Sequence, residues 1–420
     1  MSEYPSISES DSAQRQVQDG RPAAFVQLLV VAGASALGLV FSGLSTSDFV
    51  NHLDRQVHSI HCSFIPGAGA ELGESGCRTV MMSPYSSVLR GSLWGGIPIS
   101  LLAMAVFAYL LFRALHFALK PNLNKKDTVF LMAATGLPMG MTLLYGGLAL
   151  LVIGATCKLC VGVYVTSTVA FVAAVLAHQV TPQPVNQWDP DTGHYGRWFG
   201  EGAAFVGAMV ALYLITAPQS AKTAKGCGAL AHKEDASGVF IPMGRQQGGT
   251  PAVAVLDPLC PACKAFDQRL EASGLVDDLN INVVLFPLDA TCNWMVKDSM
   301  HPGACAVSEA MLCDKDGAQA ILAYAFENQE MLRKEAEKDD RALRQRLEKR
   351  FPKVKGCLGG ATIKNKVNKS LRWAVANALP VLTPQLFVAG RRVCDEDTDL
   401  GLEFTVASML RTGSTQKGRP

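Results

Sequence analysis

The chain has 420 residues, 49% of them hydrophobic and 18% charged, with a formal net charge of +2. That balance leaves no basic footprint, which argues against nucleic acid as a partner. The length suffices for two domains, and the twelve cysteines suit an oxidising compartment better than a reducing cytosol.

Residues 1–22 are polar and rich in Ser and Gln, and are expected to form a disordered cytoplasmic tail. Five apolar runs follow: Ala23–Ser45, Leu93–Leu111, Val129–Ile153, Cys157–Ala177 and Phe199–Ala217. Each approaches the roughly 20 residues that cross about 30 Å of hydrocarbon. The first is too long for a signal-peptide core and lacks a convincing small-residue cleavage site after it, so it reads as a retained helix. Only Gly154-Ala155-Thr156 separates the third run from the fourth, which predicts a tight reversal at one membrane face.

Basic residues set the expected orientation. The loop after the second run carries Arg113, His116, Lys120, Lys125 and Lys126 against Asp127 alone, and should be cytoplasmic. Arg15 and Arg21 agree. The mixed-charge 46–92 loop, the Cys157–Cys160 turn and everything after Ala217 then lie outside. All twelve cysteines fall on or near that side.

Beyond a Gly- and Lys-containing linker (218–248), the pattern becomes α/β. Pro251–Asp257 and Asn280–Pro287 read as strands, and Cys260–Gly274 as a helix between them. Residues 303–378 are mostly helical, Gln385–Val388 and Arg392–Val393 form a hairpin, and Leu400–Leu410 is a last helix. The expected division is therefore a 1–22 tail, a 23–180 membrane domain, a 181–248 segment of cytoplasmic loop, fifth span and linker, a 249–412 α/β domain, and a 413–420 tail. The fold class is multi-domain: an all-α transmembrane four-helix bundle with a fifth linking helix, followed by an α/β domain.

Chemistry concentrates in two Cys-x-x-Cys pairs. Cys157-Lys158-Leu159-Cys160 opens an apolar run, and Cys260-Pro261-Ala262-Cys263 opens a polar helix after a short strand. At a helix N-terminus the first thiolate faces unpaired N–H groups and the positive end of the dipole. Cys260 is thus the expected nucleophile and Cys263 the resolving thiol. Thr383-Pro384, a candidate cis X–Pro bond beside this pair, marks the expected substrate-binding position. Burial as ordinary small apolar residues is the bland reading of Cys157 and Cys160, and a zinc knuckle the bland reading of both pairs. A membrane run separates the pairs, which disfavours zinc, so no metal is expected. Lys158 serves equally as a thiol-activating or a snorkelling lysine.

Residues 250–412 resemble the thioredoxin-like, DsbA-like oxidoreductases, on Leu256-Asp-Pro-Leu-Cys-Pro-Ala-Cys263 and Leu382-Thr-Pro-Gln-Leu-Phe-Val-Ala-Gly390. Residues 24–178 resemble the vitamin K epoxide reductase family, on Cys62, Cys77, Ser83-Pro-Tyr85, Gly96-Ile-Pro98 and Cys157-Lys-Leu-Cys160. The resemblance implies a four-helix bundle around a quinone, ubiquinone or menaquinone. Cys62 and Cys77 match the loop pair, Ser83 the loop serine near the quinone, and Cys157 and Cys160 the active pair, with Cys160 nearest the ring. The fused arrangement, of bacterial type, implies an electron relay. Dithiols of reduced exported proteins would feed Cys260–Cys263, then Cys62–Cys77, then Cys157–Cys160 and the membrane quinone pool. Such a protein sits in the bacterial inner membrane with its thioredoxin-like domain on the non-cytoplasmic side.

Two further readings remain. One is an isomerase, or a quinone or epoxide reductase fed by the thioredoxin-like domain. The other is a redox-sensing docking protein without turnover. Cys227, Cys292, Cys305, Cys313, Cys357 and Cys394 allow fifteen pairings. Structural disulfides are expected for them, with Cys292–Cys305 the pairing that proximity suggests. Ser83 serves as readily to cap a loop helix, Tyr85 and Trp94 read as interfacial aromatics, and His301 reads as a loop or cap residue.

Overall fold

A computed structural model describes residues 22–53, 76–182, 193–217, 226–243 and 249–417. These residues cluster into two units. One takes Met1–Met81 and Ile97–Pro218, the other Met82–Gly96 and Gln219–Pro420.

The first unit is built from long helices. They are α1 (Phe25–Leu53), α2 (Ile99–Ala118), α3 (Lys125–Leu148, continued by a π-helical turn over Ala149–Ile153), α4 (Lys158–Val180) and α5 (Gly193–Thr216). All five are long and apolar enough to cross a membrane. Helix α1 packs on α2 and α4, α3 packs on α4, and α5 packs on α2. Close approach is possible where glycine faces a ring. A Cβ on Gly38 would lie 2.5 Å from the Phe107 ring, and one on Gly162 would lie 2.8 Å from Phe41. Small hydroxyls bridge the same seam, with Thr46 Oγ1 donating to Ser100 Oγ at 2.9 Å. Outward positions such as Leu37, Leu143, Leu151, Val165, Phe199 and Ile215 are exposed and apolar, as suits a lipid-facing surface. Arg113 on α2 is buried, paired with Glu201 of α5 and surrounded by Tyr109, Phe117 and Trp198. An ion pair and cation–π contacts thus hold the fifth helix to the second.

Two boundaries differ from the sequence expectation. The second span begins at Ile99 rather than Leu93, because Gly95 and Gly96 adopt positive φ and Pro98 caps the helix. Gly96 cannot carry a side chain, since a Cβ would sit 2.4 Å from the Val88 carbonyl oxygen. Residues 82–96, expected inside the 23–180 domain, group with the second unit. There Arg269 Nη1 donates to the carbonyls of Met82 and Ser83 at 3.1 and 3.3 Å, and Arg269 Nη2 donates to Glu403 Oε2 at 2.8 Å. Arg90 binds the other oxygen of Glu403 at 2.9 Å, and the Trp94 indole N–H donates to Asp397 at 2.8 Å.

The second unit centres on a five-stranded sheet: β1 (Ile241–Pro242), β2 (Thr250–Leu256), β3 (Leu279–Leu285), β4 (Gln385–Val388) and β5 (Arg391–Arg392), in spatial order β1-β3-β2-β4-β5. Strands β2 and β3 are parallel and the other pairings antiparallel. Helix α6 (Pro261–Ala272) makes the crossover between β2 and β3. Then come α7 (Ala304–Cys313), α8 (Ala318–Glu327), α9 (Gln329–Lys338), α10 (Asp340–Arg350), α11 (Ala361–Ala376) and α12 (Leu402–Lys417).

Side-chain alternation explains why these strands read as continuous apolar runs. Ala252, Ala254 and Leu256 face one core with Phe266 and Leu270 of α6, whereas Val253 and Val255 face another with Leu371 and Trp373 of α11. Both faces are covered, so neither tolerates a polar register. The expected 218–248 linker is partly structured. It supplies β1 at one edge of the sheet and Cys227, which is disulfide-bonded to Cys394. Its polar composition hid an edge strand only two residues long.

Candidate redox sites

In the first unit, the chain leaves the π-helical turn through Gly154, which takes φ +68°, and re-enters a helix at Lys158. Cys157 is the N-cap of α4, and its sulfur accepts the Cys160 backbone N–H at 3.4 Å. This is the N-terminal amide arrangement that favours a thiolate. Cys157 and Cys160 are free thiols, Cys157 buried and Cys160 half-buried. Cys77, on the short helix Gly76–Met82, is disulfide-bonded and buried. Its Sγ lies 3.0 Å from the Sγ of Cys157. Phe41, Leu44, Val80 and Leu159 pack around these sulfurs.

Three of the sequence-predicted residues are therefore brought together: Cys77, Cys157 and Cys160. Cys62 lies outside the described residues. Ser83 groups with the second unit, where it is buried and its carbonyl accepts from Arg269 and from Ser86.

In the second unit, Cys260 is the N-cap of α6 and Pro261 occupies the first turn, where a missing N–H is harmless. Cys263, Phe266 and Leu270 recur at helical spacing and point inward. Cys260 and Cys263 are both free and buried. The Thr383–Pro384 bond is cis, and the Cys260 thiol points to the Thr383 carbonyl at 3.7 Å. The four sequence-predicted residues of this unit thus converge on one place.

Sequence reasoning missed the polar residues beneath this pair. Asp257 is fully buried. Its carboxylate accepts from Leu259 N and Leu288 N, both at 2.7 Å, and meets His301 Nδ1 at 2.8 Å. Its own backbone N–H donates to Cys263 Sγ at 3.5 Å. Gln329, at the start of α9, donates to the Cys260 carbonyl at 2.9 Å and so pins the turn. Asp257 stands just before the cysteine pair in the chain, but His301 and Gln329 carry no local signal, being recruited across 44 and 69 residues.

The electrostatics separate the two thiols. The hydrogen bond from Cys263 is the main reason that the Cys260 thiol is brought down to about 6. His301 and Thr383 add to this, against burial and Asp257. Burial pushes the Cys263 thiol well up. Burial disfavours a charged His301, but the hydrogen bond and charge of Asp257 outweigh it and raise its pKa. One thiolate and one protected thiol is the division needed for thiol–disulfide exchange.

The second unit holds three further disulfides: Cys227–Cys394, Cys292–Cys305 and Cys313–Cys357. Among the described residues, no group of three or more His, Cys, Asp or Glu is arranged to hold a metal ion.

Residues 29–175 match the vitamin K epoxide reductase family. That segment contains Cys77, Cys157 and Cys160, and its family consists of membrane thiol oxidoreductases associated with quinone and vitamin K chemistry. The match covers the helical part of a chain whose remainder is an α/β unit. No curated protein and no solved structure matches the chain.

Proposed function

We propose that this protein is a quinone-linked thiol oxidase that forms disulfides in exported proteins, with a thioredoxin-like α/β domain feeding the membrane domain. The observation that carries the reading is the 3.0 Å approach of the Cys157 thiol to the disulfide-bonded sulfur of Cys77. A free thiol beside a disulfide sulfur is the geometry of exchange through a mixed disulfide.

In the proposed sequence, a substrate dithiol reduces the Cys260–Cys263 disulfide by way of a mixed disulfide at Cys260. The resulting dithiol reduces the loop disulfide, in which Cys62 is the proposed partner of Cys77. The loop dithiol then attacks the Cys157–Cys160 disulfide, with Cys77 bonding to Cys157 and Cys160 leaving as a thiol, after which Cys62 attacks Cys77, re-forms the loop disulfide and releases Cys157. Two electrons and two protons move at each stage. A quinone accepts that pair and leaves as a quinol. The apolar shell of Phe41, Leu44, Val80 and Leu159 around the cysteine turn suits such a ring. Cys160 is assigned the position beside it, and Ser83 the role of loop serine. Thr383 and Pro384 line the proposed substrate position beside Cys260.

The proposed setting is a bacterial inner membrane, with the α/β domain on the non-cytoplasmic side. The basic residues between the second and third spans, Lys120, Lys125 and Lys126, support this orientation, as do three structural disulfides in the α/β unit, whereas Arg113 lies buried within α2. The test is quinone reduction, followed optically for the detergent-purified protein with a reduced, unfolded protein as electron donor. Turnover that is lost in both Cys160→Ala and Cys260→Ala supports the relay. Folded protein without turnover, or full activity in Cys160→Ala, turns the assignment toward an isomerase or a docking protein.

A further inference from the structure

The Cys260–Cys263 pair has only Pro261 and Ala262 between its sulfurs, so the motif itself supplies no cation. Beneath it sits a fully buried carboxylate, Asp257, in the turn whose carbonyl accepts the Cys260 N–H at 3.2 Å. A carboxylate in that place repels a thiolate at Cys260 unless a positive charge answers it.

We propose that His301, seated on Asp257, is a positioning residue for this redox pair: its imidazolium balances the Cys260 thiolate and thereby favours the dithiol over the disulfide. The inference rests on the proposed role of Cys260–Cys263 in thiol exchange.

The segment around His301 is built to hold the ring still. His301 Nδ1 lies 2.8 Å from Asp257 Oδ2, and the ring is buried. The backbone N–H groups of Met300 and His301 both reach the Leu288 carbonyl, at 2.9 and 3.1 Å. Asp289 Oδ2 accepts from Gly303 N at 3.0 Å and Cys305 N at 3.3 Å. The Cys292–Cys305 disulfide, with Cα atoms 5.9 Å apart, closes the segment. A ring needed only to satisfy Asp257 has no use for such a clasp, because Leu259 and Leu288 already donate to both carboxylate oxygens. The charged groups that bear on His301 are Asp257 from the strand end, Cys260 from the N-cap of α6, and Arg333 from α9. Asp257 and a Cys260 thiolate favour the imidazolium, and Arg333 opposes it.

The chemistry balances with a disulfide as the electron acceptor. The Cys260 thiolate attacks one acceptor sulfur and releases the first thiolate. The Cys263 sulfur then attacks Cys260 and releases the second. Two electrons pass to the acceptor, and its two departing thiolates take up the proton of Cys263 and the proton held at His301. The Cys260–Cys263 disulfide then leaves no thiolate to balance, and His301, its proton given up, stays on Asp257 as a neutral ring.

The test follows alkylation of Cys260 against pH in the reduced full-length protein, read peptide by peptide with mass spectrometry. Removing the charge in His301→Gln should slow alkylation about tenfold near pH 6.5, with rates converging above about pH 9. The same variant should shift the dithiol–disulfide equilibrium about tenfold toward the disulfide, equivalent to ~30 mV. His301→Lys, which restores a cation, should recover most of both effects. Equal shifts in the two variants, or none in either, would overturn the proposal and leave His301 a packing residue.

A second measurement needs no variant. Deuterium exchange at the imidazole C2 position reports the protonation of His301 in the native protein. Its midpoint should lie at higher pH in the reduced than in the oxidised state, because the coupling is reciprocal. Coincident midpoints would also overturn the proposal. Neither readout requires quinone turnover, so failure here leaves the relay intact, and failure of the relay leaves this result standing.

Discussion

The sulfur of Cys157 lies 3.0 Å from that of Cys77, yet Cys157 is a free thiol and Cys77 is bonded elsewhere. The two sulfurs are placed to exchange partners without rebuilding either helix. The Cys160 N–H at 3.4 Å from Cys157 Sγ stabilises negative charge on the sulfur that would leave or attack.

Removing the resolving thiol should therefore trap the exchange. In Cys160→Ala, a Cys77–Cys157 mixed disulfide should accumulate and be recovered as a cross-linked peptide pair under non-reducing digestion. In Cys157→Ala no such pair should form. A Cys160→Ala protein that shows no Cys77–Cys157 bond would place the exchange elsewhere.

The two thiols of the α/β unit should differ sharply in reactivity. Cys260 alkylation in the reduced protein should reach half its maximal rate near pH 6, and native Cys263 should stay unreactive across the same range. The sign of the linkage follows from the lowered thiol pKa. The Cys260 thiolate stabilises the reduced fold fully above the ordinary thiol range and loses that contribution as pH falls through about 6. Melting of the reduced protein, compared with the oxidised protein, should accordingly improve between about pH 6 and pH 9.

Arg269 offers a stability test away from the sulfurs. It is fully buried on α6, pairs with Glu403, and donates to the Met82, Ser83 and Leu400 carbonyls. Arg269→Ala leaves Glu403 buried with Arg90 alone and should cost about 3–5 kcal/mol in denaturant unfolding of the second unit. The double variant Arg269→Met with Glu403→Leu should recover much of the loss, because an apolar pair needs no charge compensation. A loss below about 1 kcal/mol in Arg269→Ala would show the cluster to be solvated in solution.

The three disulfides should rank by the loop each closes. Their sequence separations are 167 residues for Cys227–Cys394, 44 for Cys313–Cys357 and 13 for Cys292–Cys305. Chain entropy alone then gives stabilities of about 5, 4 and 3 kcal/mol respectively. Paired Cys→Ala replacements, compared by melting temperature, should fall in that order. Loss of Cys313–Cys357 should leave Cys260 reactivity unchanged.

Much of the architecture was legible because its signals are local. Runs of about 20 apolar residues announced the five long helices, and the Cys-x-x-Cys pairs announced both helix starts. The strand, helix and strand of residues 250–285 followed from runs of Val, Ile and Leu broken by Asp257-Pro258. Less legible were features with long-range causes. Nothing in the sequence around Arg269 tells that Glu403 and the Met82 and Ser83 carbonyls enclose it. Trp94 looked like an interfacial aromatic, and its N–H instead meets Asp397. Ile241–Pro242 was lost in a polar linker because a two-residue edge strand has no periodicity to detect.

The amino-acid sequence by itself determined the chemistry available to this protein: two thiol pairs at helix starts, one among apolar helices and one in an α/β fold. Spacing within a few residues fixes which atoms share a helix turn, so such pairs survive any uncertainty about the rest of the chain. Only the tertiary structure decided which sulfur meets which, as with Cys77 and Cys157, 80 residues apart. It alone also decided that Asp257 and His301, 44 residues apart, share a buried hydrogen bond below Cys260. The reason is energetic: a buried charge must find its partner wherever packing delivers one, and that search leaves no period and no motif in the sequence.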